Sequence, residues 1–201
     1  MDSDRQFTGK YESEGRAGAW LLDNFYKGVR SLLEPALASA RSVFEIGCGA
    51  GYSTHRLSGW LPENVALVSS DLGASLVRKA AKMNPAVPVV QQSVYELGLA
   101  DKAVDVLVML EVLEHLEDPQ RALAELRRVA RRHVVVSTPR EPIWRTLNFW
   151  RGKYVAASGT TRGHNQHCTS GALRREVAPH FDVVGMRQPL PWTILLLSPR
   201  P

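Results

Sequence analysis

The sequence has few cysteines and no long hydrophobic run. Its 201 residues are 44% hydrophobic, yet the longest apolar candidates are VLVML and ILLL, far short of the roughly 18 residues that cross a bilayer. Its two cysteines, Cys48 and Cys168, are too far apart in the chain for a Cys-x-x-Cys zinc pair and too few for a disulfide framework. We therefore expect neither a transmembrane segment nor a disulfide-stabilised secreted fold.

The amino-terminal stretch MDSDRQFTGK lacks the basic and then apolar pattern of a secretory signal peptide. Together with the low cysteine content, this predicts a reducing, cytoplasmic setting. The length predicts one domain over residues 1–201, because a chain of this size buries about 70% of the surface that its unfolded form exposes.

The net charge of +5 is modest. Its arginines concentrate in ELRRVARRH, PREPIWRTLNFWRGKY and LRREV, and the first stretch is most simply the solvated face of a helix. A positive excess is compatible with nucleic acid, anionic lipid or an acidic small substrate. We do not favour nucleic acid as a partner, and peripheral contact with a membrane surface stays open.

Short apolar runs alternate with helical patterns along the chain, which predicts an α/β fold with a parallel sheet covered on both faces. An amphipathic helix over 20–37 precedes the first strand, and the runs FDVVGMRQ and WTILLLS near the carboxyl end predict an antiparallel hairpin. The predicted strands are SVFEIG, VALVSSD, VPVVQQSV, VDVLVML and HVVVSTP, and the predicted helices between them cover 52–61, 74–83 and 118–131.

The most informative stretch is VFEIGCGAGYSTHRL, residues 43–57. Gly47, Gly49 and Gly51 occupy alternate positions behind Glu45, where an apolar strand stops and a helix begins. A glycine-rich turn of this kind brings ligand atoms against backbone N–H groups at the positive end of a helix. Asp71, 20 residues beyond Gly51 and at the next strand end, suits an acid that binds ribose hydroxyls.

The spacing G-x-G-x-G differs from the dinucleotide fingerprint G-x-G-x-x-G. The carboxylate of Glu45 would repel a pyrophosphate but attract a cationic amino-acid group. The residues therefore favour a nucleoside that carries an amino acid, and a nicotinamide-dependent oxidoreductase is kept as an alternative.

Two segments resemble the class I S-adenosylmethionine-dependent methyltransferases. VFEIGCGAGYSTHRL is similar to their motif I, and MLEVLEHLEDPQRALAEL is similar to the branch that includes the O-methyltransferases of ubiquinone biosynthesis. The resemblance runs from about residue 40 to the carboxyl end. It implies S-adenosylmethionine as cofactor and a Rossmann-like, doubly wound α/β fold with a seven-stranded, mostly parallel sheet and a C-terminal antiparallel hairpin.

The resemblance also implies roles for individual residues. The cofactor's methionine end would be held by Glu45, Gly47, Gly49 and Gly51. Its ribose and one face of its adenine would contact Asp71 and Leu72, and Ser93 and Val94 would make further adenine contacts. The pocket would be closed by Leu110 and Glu111. Many members have Asp in place of Ser93, so its hydroxyl or the backbone of Val94 would substitute.

With these roles, we divide the single methyltransferase domain into four parts. An N-terminal helical cap covers 1–40, a cofactor-binding core covers 41–139, and a last helix with the hairpin covers 169–201. The pattern breaks over 140–168, and a connection of that length in a compact domain is usually functional. Its aromatic and basic side chains suit a lid on the substrate side that stacks a flat substrate, or a surface for lipid headgroups or nucleic acid.

His115 is the catalytic candidate. The sulfonium methyl is already activated, so an enzyme of this family has to align a nucleophile and, for a hydroxyl acceptor, remove a proton. His115 follows a strand end, where catalytic side chains of open α/β sheets gather; a local structural role at a helix start is the alternative. From the resemblance we expect O-methylation of a small or medium-sized metabolite by direct in-line transfer.

A metal site is an alternative that we do not favour. Glu111, Glu114 and His115 are spaced i, i+3 and i+4, which on a helix is one face, and His164 would be a fourth ligand for a divalent metal. The spacing resembles the metal site of small-RNA 2′-O-methyltransferases. An RNA-directed enzyme of that kind and a non-catalytic cofactor-binding protein complete the alternatives.

Overall fold

A computed structural model describes residues 16–140 and 169–201. Nearly all of the predicted lid segment, and with it His164, lies outside the described residues. The strands are β1 Ser42–Ile46, β2 Ala66–Asp71, β3 Val89–Gln91, β4 Val104–Leu110, β5 Ala130–Pro139, β6 Phe181–Arg187 and β7 Trp192–Pro199. The helices are α1 Arg16–Leu37, α2 Tyr52–Ser58, α3 Ala74–Met83, α4 Pro119–Val129 and α5 Ser170–Val177, with a 3₁₀ turn at Leu113–His115.

The seven strands form one sheet in the order β3-β2-β1-β4-β5-β7-β6. The first five strands pair in parallel, and β7 pairs antiparallel with both β5 and β6. The predicted fold class and hairpin are confirmed. Because the chain runs outward from β1 to β3 and then returns to β4, the strand order reverses between β1 and β4. In open α/β sheets, ligands bind at the carboxyl ends of strands at such a point.

Both faces of the sheet are covered, as the apolar strands predict. On β4, Leu107 and Met109 face a layer that includes α4 and α5, whereas Val106 and Val108 face a layer built around α1. All four side chains have no exposed surface. Burial on alternate sides explains why this strand is continuously apolar.

The helix α4 begins with the predicted cap. The Asp118 carboxylate accepts a hydrogen bond from the backbone N–H of Arg121 at 3.1 Å, and Pro119 occupies the first turn, where its missing N–H costs nothing. Among the described residues, no helix combines the length and the apolar composition that crossing a membrane requires.

The connection from β3 to β4 carries no helix within its described residues, 92–103. Arg128 of α4 holds it instead, donating to the carbonyl oxygens of Leu97 at 3.1 Å and Leu99 at 2.8 Å and to the carboxylate of Asp101 at 2.8 Å. Charge-assisted bonds of this kind are the stronger class. They fix the loop that carries Ser93.

Candidate active site

A cavity of about 380 Å³ opens at the carboxyl ends of β1, β2 and β4, where the strand order reverses. Its volume is typical of small-molecule sites. The structure brings most of the predicted residues to this cavity. The lining includes Gly47, Gly49, Asp71, Leu72, Ser93, Val94, Leu110, Glu111 and His115.

Gly49 leaves open space beside the backbone of the turn. Its φ is +56°, and apart from Gly49 and its two chain neighbours no atom of the described chain lies within 4 Å of the position that a Cβ would take. Its N–H donates to the Asp71 carboxylate at 2.9 Å. A ligand can therefore approach the main chain here, as the sequence predicts.

Gly51 borders the protein in this structure, and its predicted role at the methionine end of the cofactor stays a prediction. It lies outside the cavity lining and caps α2 with φ +93°. A Cβ at this position would stand 2.8 Å from Cα of Ala80 and 2.6 Å from the side-chain nitrogen of Asn84. Gly51 thus permits α2 to pack closely on α3.

Glu45 also lies outside the cavity lining. Its side chain is buried, and one carboxylate oxygen accepts hydrogen bonds from the hydroxyls of Thr54 at 2.6 Å and Ser69 at 2.7 Å. Burial raises the pKa of Glu45, against the opposing effect of hydrogen bonds from Ser53, Thr54 and Ser69 and with a smaller contribution from Asp71. The carboxyl group sits behind the glycine turn and joins β1 to β2 and α2.

Asp71 ends β2 and crosses to the glycine turn. One carboxylate oxygen accepts from the N–H of Gly73 at 2.8 Å, and the other accepts from the N–H of Gly49 at 2.9 Å. A carboxylate offers about four acceptor sites, so each oxygen keeps capacity for a further donor. That arrangement suits a pair of ribose hydroxyls.

Leu72 is an exposed apolar residue in the cavity lining. Its side chain is 68% exposed, and its carbonyl oxygen accepts from the Gln91 side chain at 3.0 Å, which fixes the local backbone. Ser93 also lines the cavity, from the loop after β3, where its hydroxyl accepts from the N–H of Tyr95 at 3.2 Å. An exposed apolar side chain in this position suits the face of a flat heterocycle.

Glu111 is not on a helix, so the predicted shared face with Glu114 and His115 is wrong. Its φ is +57°, and its two carboxylate oxygens accept from the Ser137 hydroxyl at 2.9 Å and the Trp192 indole N–H at 2.7 Å. These bonds tie the end of β4 to β5 and β7. A left-handed backbone is costly for a non-glycine residue and persists where surrounding bonds impose it.

His115 lines the cavity from the 3₁₀ turn. Its Nε2 lies 3.9 Å from an oxygen of Glu114, whose side chain is 2% exposed. Within residues 16–140 and 169–201, no three His, Cys, Asp or Glu side chains are grouped as a metal site would require. The proposed fourth metal ligand, His164, falls outside that range.

One wall of the cavity escaped the sequence interpretation. Phe25 and Tyr26 of α1 line the cavity, although Phe25 appears in the sequence as one of several core positions of an amphipathic helix. Phe25 also packs on Trp192 with ring centroids 4.9 Å apart, and Arg56 lies 4.4 Å over the Tyr26 ring. Only the packing of α1 against the sheet could show that this helix forms one wall.

A family model for the methyltransferase domain matches residues 44–137. The match spans β1 to β5 and includes the glycine turn, Asp71 and the end of β4. Residues 44–137 therefore resemble the class I S-adenosylmethionine-dependent methyltransferases. The finer placement in the ubiquinone-biosynthesis branch stays a prediction.

The chain is similar to a protein named "Probable S-adenosylmethionine-dependent methyltransferase" in Mycobacterium tuberculosis, with 37% identity over 123 residues. The matched region covers 59% of this chain and 44% of that protein. The chain therefore spans less than half the length of the curated relatives it matches.

Solved structures share the architecture. Magnesium protoporphyrin IX methyltransferase from Synechocystis, solved with bound S-adenosylhomocysteine, superposes with a TM-score of 0.69 at 16% identity, covering 96% of this chain and 93% of that one. The [4+2]-cyclase SpnF superposes with a TM-score of 0.65 at 15% identity, over 85% and 80% of the two chains. At these identities the likeness shows the fold alone.

The buried carboxyl of Glu45 makes the stability of the folded chain depend on pH. Its pKa in the folded chain is raised above the unfolded value of 4.5, so its contribution is most favourable below that value and is lost as the pH rises through the folded pKa. We expect Glu45→Gln, which stays neutral and keeps an acceptor for the two hydroxyls, to unfold at a higher temperature near neutral pH.

Thermal unfolding of Glu45→Gln at about pH 7.5 and at about pH 4 tests this expectation. Each 1 kcal/mol of stabilisation would raise the midpoint by about 2–4 °C in a chain of this size, and the difference should shrink at the lower pH. The exposed Glu63→Gln is the charge-matched control. A lower midpoint for Glu45→Gln at both pH values would contradict the assignment.

Cys48 is expected to be inert although it lines the cavity. Burial, followed by the nearby carboxylates of Glu45 and Asp71, raises the pKa of its thiol to about 12, which leaves a thiolate fraction on the order of one in ten thousand near pH 8. In a Cys168→Ser variant, iodoacetamide should label Cys48 only after denaturation. Mass spectrometry that shows rapid labelling of the folded protein would refute this.

Proposed function

We propose that this protein transfers the methyl group of S-adenosylmethionine directly to an oxygen atom of a small or medium-sized metabolite. The observation that supports the proposal most is the bare backbone of Gly49 beside the Asp71 carboxylate, inside a cavity where the strand order reverses. The family resemblance supports the cofactor. The accepting atom rests on the resemblance of MLEVLEHLEDPQRALAEL to O-methyltransferases.

The residues of the cavity fit the cofactor. Gly47 and Gly49 would hold its methionine end, and Asp71 would accept hydrogen bonds from its ribose hydroxyls. Leu72, with Ser93 and Val94, would enclose the adenine. We assign Gly51 and Glu45 to the support of the turn, since neither lines the cavity; the charge of Glu45 would still favour a cationic amino-acid group near it.

The bound cofactor supplies an activated methyl group on a sulfonium. The chain has to place the acceptor oxygen in line with that group and accept the proton that leaves the hydroxyl. We assign to His115 the role of accepting this proton, because its ring lines the cavity. A carboxylate oxygen of Glu114 lies 3.9 Å from its Nε2 and would stabilise an imidazolium.

The apolar part of the lining supports a small organic acceptor. Phe25 and Tyr26 on α1 face the cavity together with Leu110, Val112 and Leu116. Desolvation of the acceptor by such a wall strengthens the polar interactions made by His115. Glu111 lines this region as well, but both of its oxygens already accept hydrogen bonds from Ser137 and Trp192, so we assign it to positioning.

No observation in the described chain favours the RNA-directed, metal-dependent alternative. Its proposed ligands require a helical backbone at Glu111, and the backbone there is left-handed. Resemblance to a methyltransferase family argues against the nicotinamide-dependent alternative. The fold alone does not establish methyl transfer, because the [4+2]-cyclase SpnF shares it. A non-catalytic cofactor-binding protein is therefore the alternative that the experiment must address.

The test begins with calorimetric titration of the full chain with S-adenosylmethionine, S-adenosylhomocysteine and NADH, each with and without EDTA. We expect micromolar binding of the two sulfur ligands, unchanged by EDTA, and none of NADH. Methyl transfer from labelled cofactor to a panel of hydroxylated metabolites follows, with His115→Ala beside the wild type. Tight binding of NADH would overturn the assignment of S-adenosylmethionine as the cofactor. Binding of S-adenosylmethionine without methyl transfer to any acceptor would favour the non-catalytic alternative.

A further inference from the structure

Gln92 lines the cavity next to the residues assigned to the adenine. It follows β3 directly, and its backbone N–H donates to the carbonyl oxygen of Asp71 at 3.1 Å. This bond places Gln92 beside the end of β2, where Asp71 and Leu72 face the same cavity. The sequence motifs point to the position after it, Ser93, and leave Gln92 without a role.

The side-chain amide of Gln92 carries an unused donor. Its Oε1 accepts from the N–H of Gly98 at 3.4 Å, which assigns the oxygen and the nitrogen of the amide. Nε2 is buried and has no hydrogen-bond partner among the residues that the structure describes. A buried donor without an acceptor is destabilising, so a bound acceptor at this position would be favoured.

Ser93 differs from Gln92 in this respect. Its hydroxyl oxygen already accepts a hydrogen bond from the N–H of Tyr95 at 3.2 Å, within a short bridge between Ser93 and Glu96. The Ser93 side chain is therefore used to close the loop on itself. The neighbouring Gln92 carries the polar group that no local bond explains.

We propose that the Gln92 side-chain amide donates a hydrogen bond to a ring nitrogen of the adenine base of the cofactor, and thereby contributes to base recognition. The last side-chain torsion of glutamine is broad, so the amide of this cavity-lining residue can turn to place Nε2 against a bound ligand. The ring nitrogens of adenine are acceptors, whereas a carboxylate at this position would face them with like polarity. The inference rests on the proposed cofactor.

Calorimetry with S-adenosylhomocysteine as the probe tests the proposal on the full chain. We expect Gln92→Leu to weaken binding by about 5- to 10-fold, as the loss of one hydrogen bond predicts. Gln92→Glu keeps the shape and the acceptor for Gly98, and we expect it to weaken binding at least as much. Gln120→Leu is the control, because Gln120 bonds to Glu176 on α5.

The analogues in which one ring nitrogen at position 1, 3 or 7 is replaced by carbon identify the accepting atom. We expect one analogue to bind the wild type more weakly than S-adenosylhomocysteine does, by the same factor that Gln92→Leu loses. That analogue should bind the wild type and Gln92→Leu with equal affinity. A merely structural role would weaken all analogues alike, which would overturn the proposal, as would unchanged binding by Gln92→Leu. If the wild type binds no S-adenosylhomocysteine, the proposed function fails and this inference fails with it.

Discussion

Replacing Gly49 with valine should abolish binding of S-adenosylhomocysteine while the sheet stays folded. The space beside Gly49 is open in the structure, since no described residue other than its two chain neighbours lies within 4 Å of the position that a Cβ would take, and we propose that the cofactor occupies it. A branched side chain would fill that space. We expect the affinity to fall by at least about 100-fold, equivalent to roughly 2.7 kcal/mol, as measured by calorimetry.

Two control variants separate the filled space from backbone strain. Gly49 has φ +56°, so valine there is also strained, by about 1–2 kcal/mol. Gly49→Asn tolerates a left-handed backbone but fills the same space, and it should lose the ligand as well. Gly59→Val, at the other end of α2, adds a Cβ at ordinary distances of 3.6 Å and 3.8 Å from carbonyl oxygens and should bind normally. Retained affinity in both Gly49 variants would remove the turn from the site.

The parts of the fold that follow from strong periodicity were predictable from sequence. The helix predicted over 74–83 is α3, with the same bounds, and VDVLVML is β4. Both stretches have a pattern that only one kind of element satisfies: a polar and apolar alternation with helical spacing in the first, and burial on both faces in the second. The reversal of strand order then places the cavity without further information.

The segment around Glu111 was predictable only in part. The spacing of Glu111, Glu114 and His115 indicates one face only if the backbone is helical, and the structure has a left-handed residue followed by a 3₁₀ turn. The partners that stabilise this backbone, Ser137 and Trp192, lie 26 and 81 residues away in the chain. Local spacing contains no information about bonds of that range.

The glycine motif shows a second limit. A strand-to-turn-to-helix pattern predicts that the backbone is bare, but it does not distinguish a glycine that faces the ligand from one that faces the protein. Gly49 borders open space, whereas Gly51 meets α3. Glu45 shows the same limit. The charge argument predicts a negative group near the cofactor, whereas the structure buries the carboxyl of Glu45 behind the turn. Direction of a side chain depends on packing, which one motif does not specify.

Asp71→Ala should weaken S-adenosylhomocysteine by roughly 10- to 150-fold, or about 1.5–3 kcal/mol, because hydrogen bonds to a charged group are worth more than neutral ones. Two contributions are combined in that loss. The variant removes the proposed acceptor of the ribose hydroxyls, and it also releases the N–H groups of Gly49 and Gly73 that the carboxylate binds at 2.9 Å and 2.8 Å.

Ligands that lack one ribose hydroxyl separate these contributions. If the carboxylate binds the ribose, the 2′-deoxy or 3′-deoxy form of S-adenosylhomocysteine should bind the wild type more weakly than the parent ligand, and Asp71→Ala should bind both equally. If the carboxylate only supports the turn, the variant should keep the preference for the parent ligand while its affinity for every ligand falls. The second outcome would leave Asp71 a structural residue and require another group to bind the ribose.

Asp182→Ala is the control for net charge, because Asp182 lies on β6 and pairs with Arg200 at 2.7 Å, outside the cavity lining. It removes the same charge and should change neither the affinity nor the preference for the parent ligand. Asp71→Asn adds a graded case. Its single oxygen can accept from either Gly49 or Gly73, and its amide group must then face the other N–H. We expect Asp71→Asn to lose much of the affinity that alanine loses, since one backbone contact and the charge are absent in both variants.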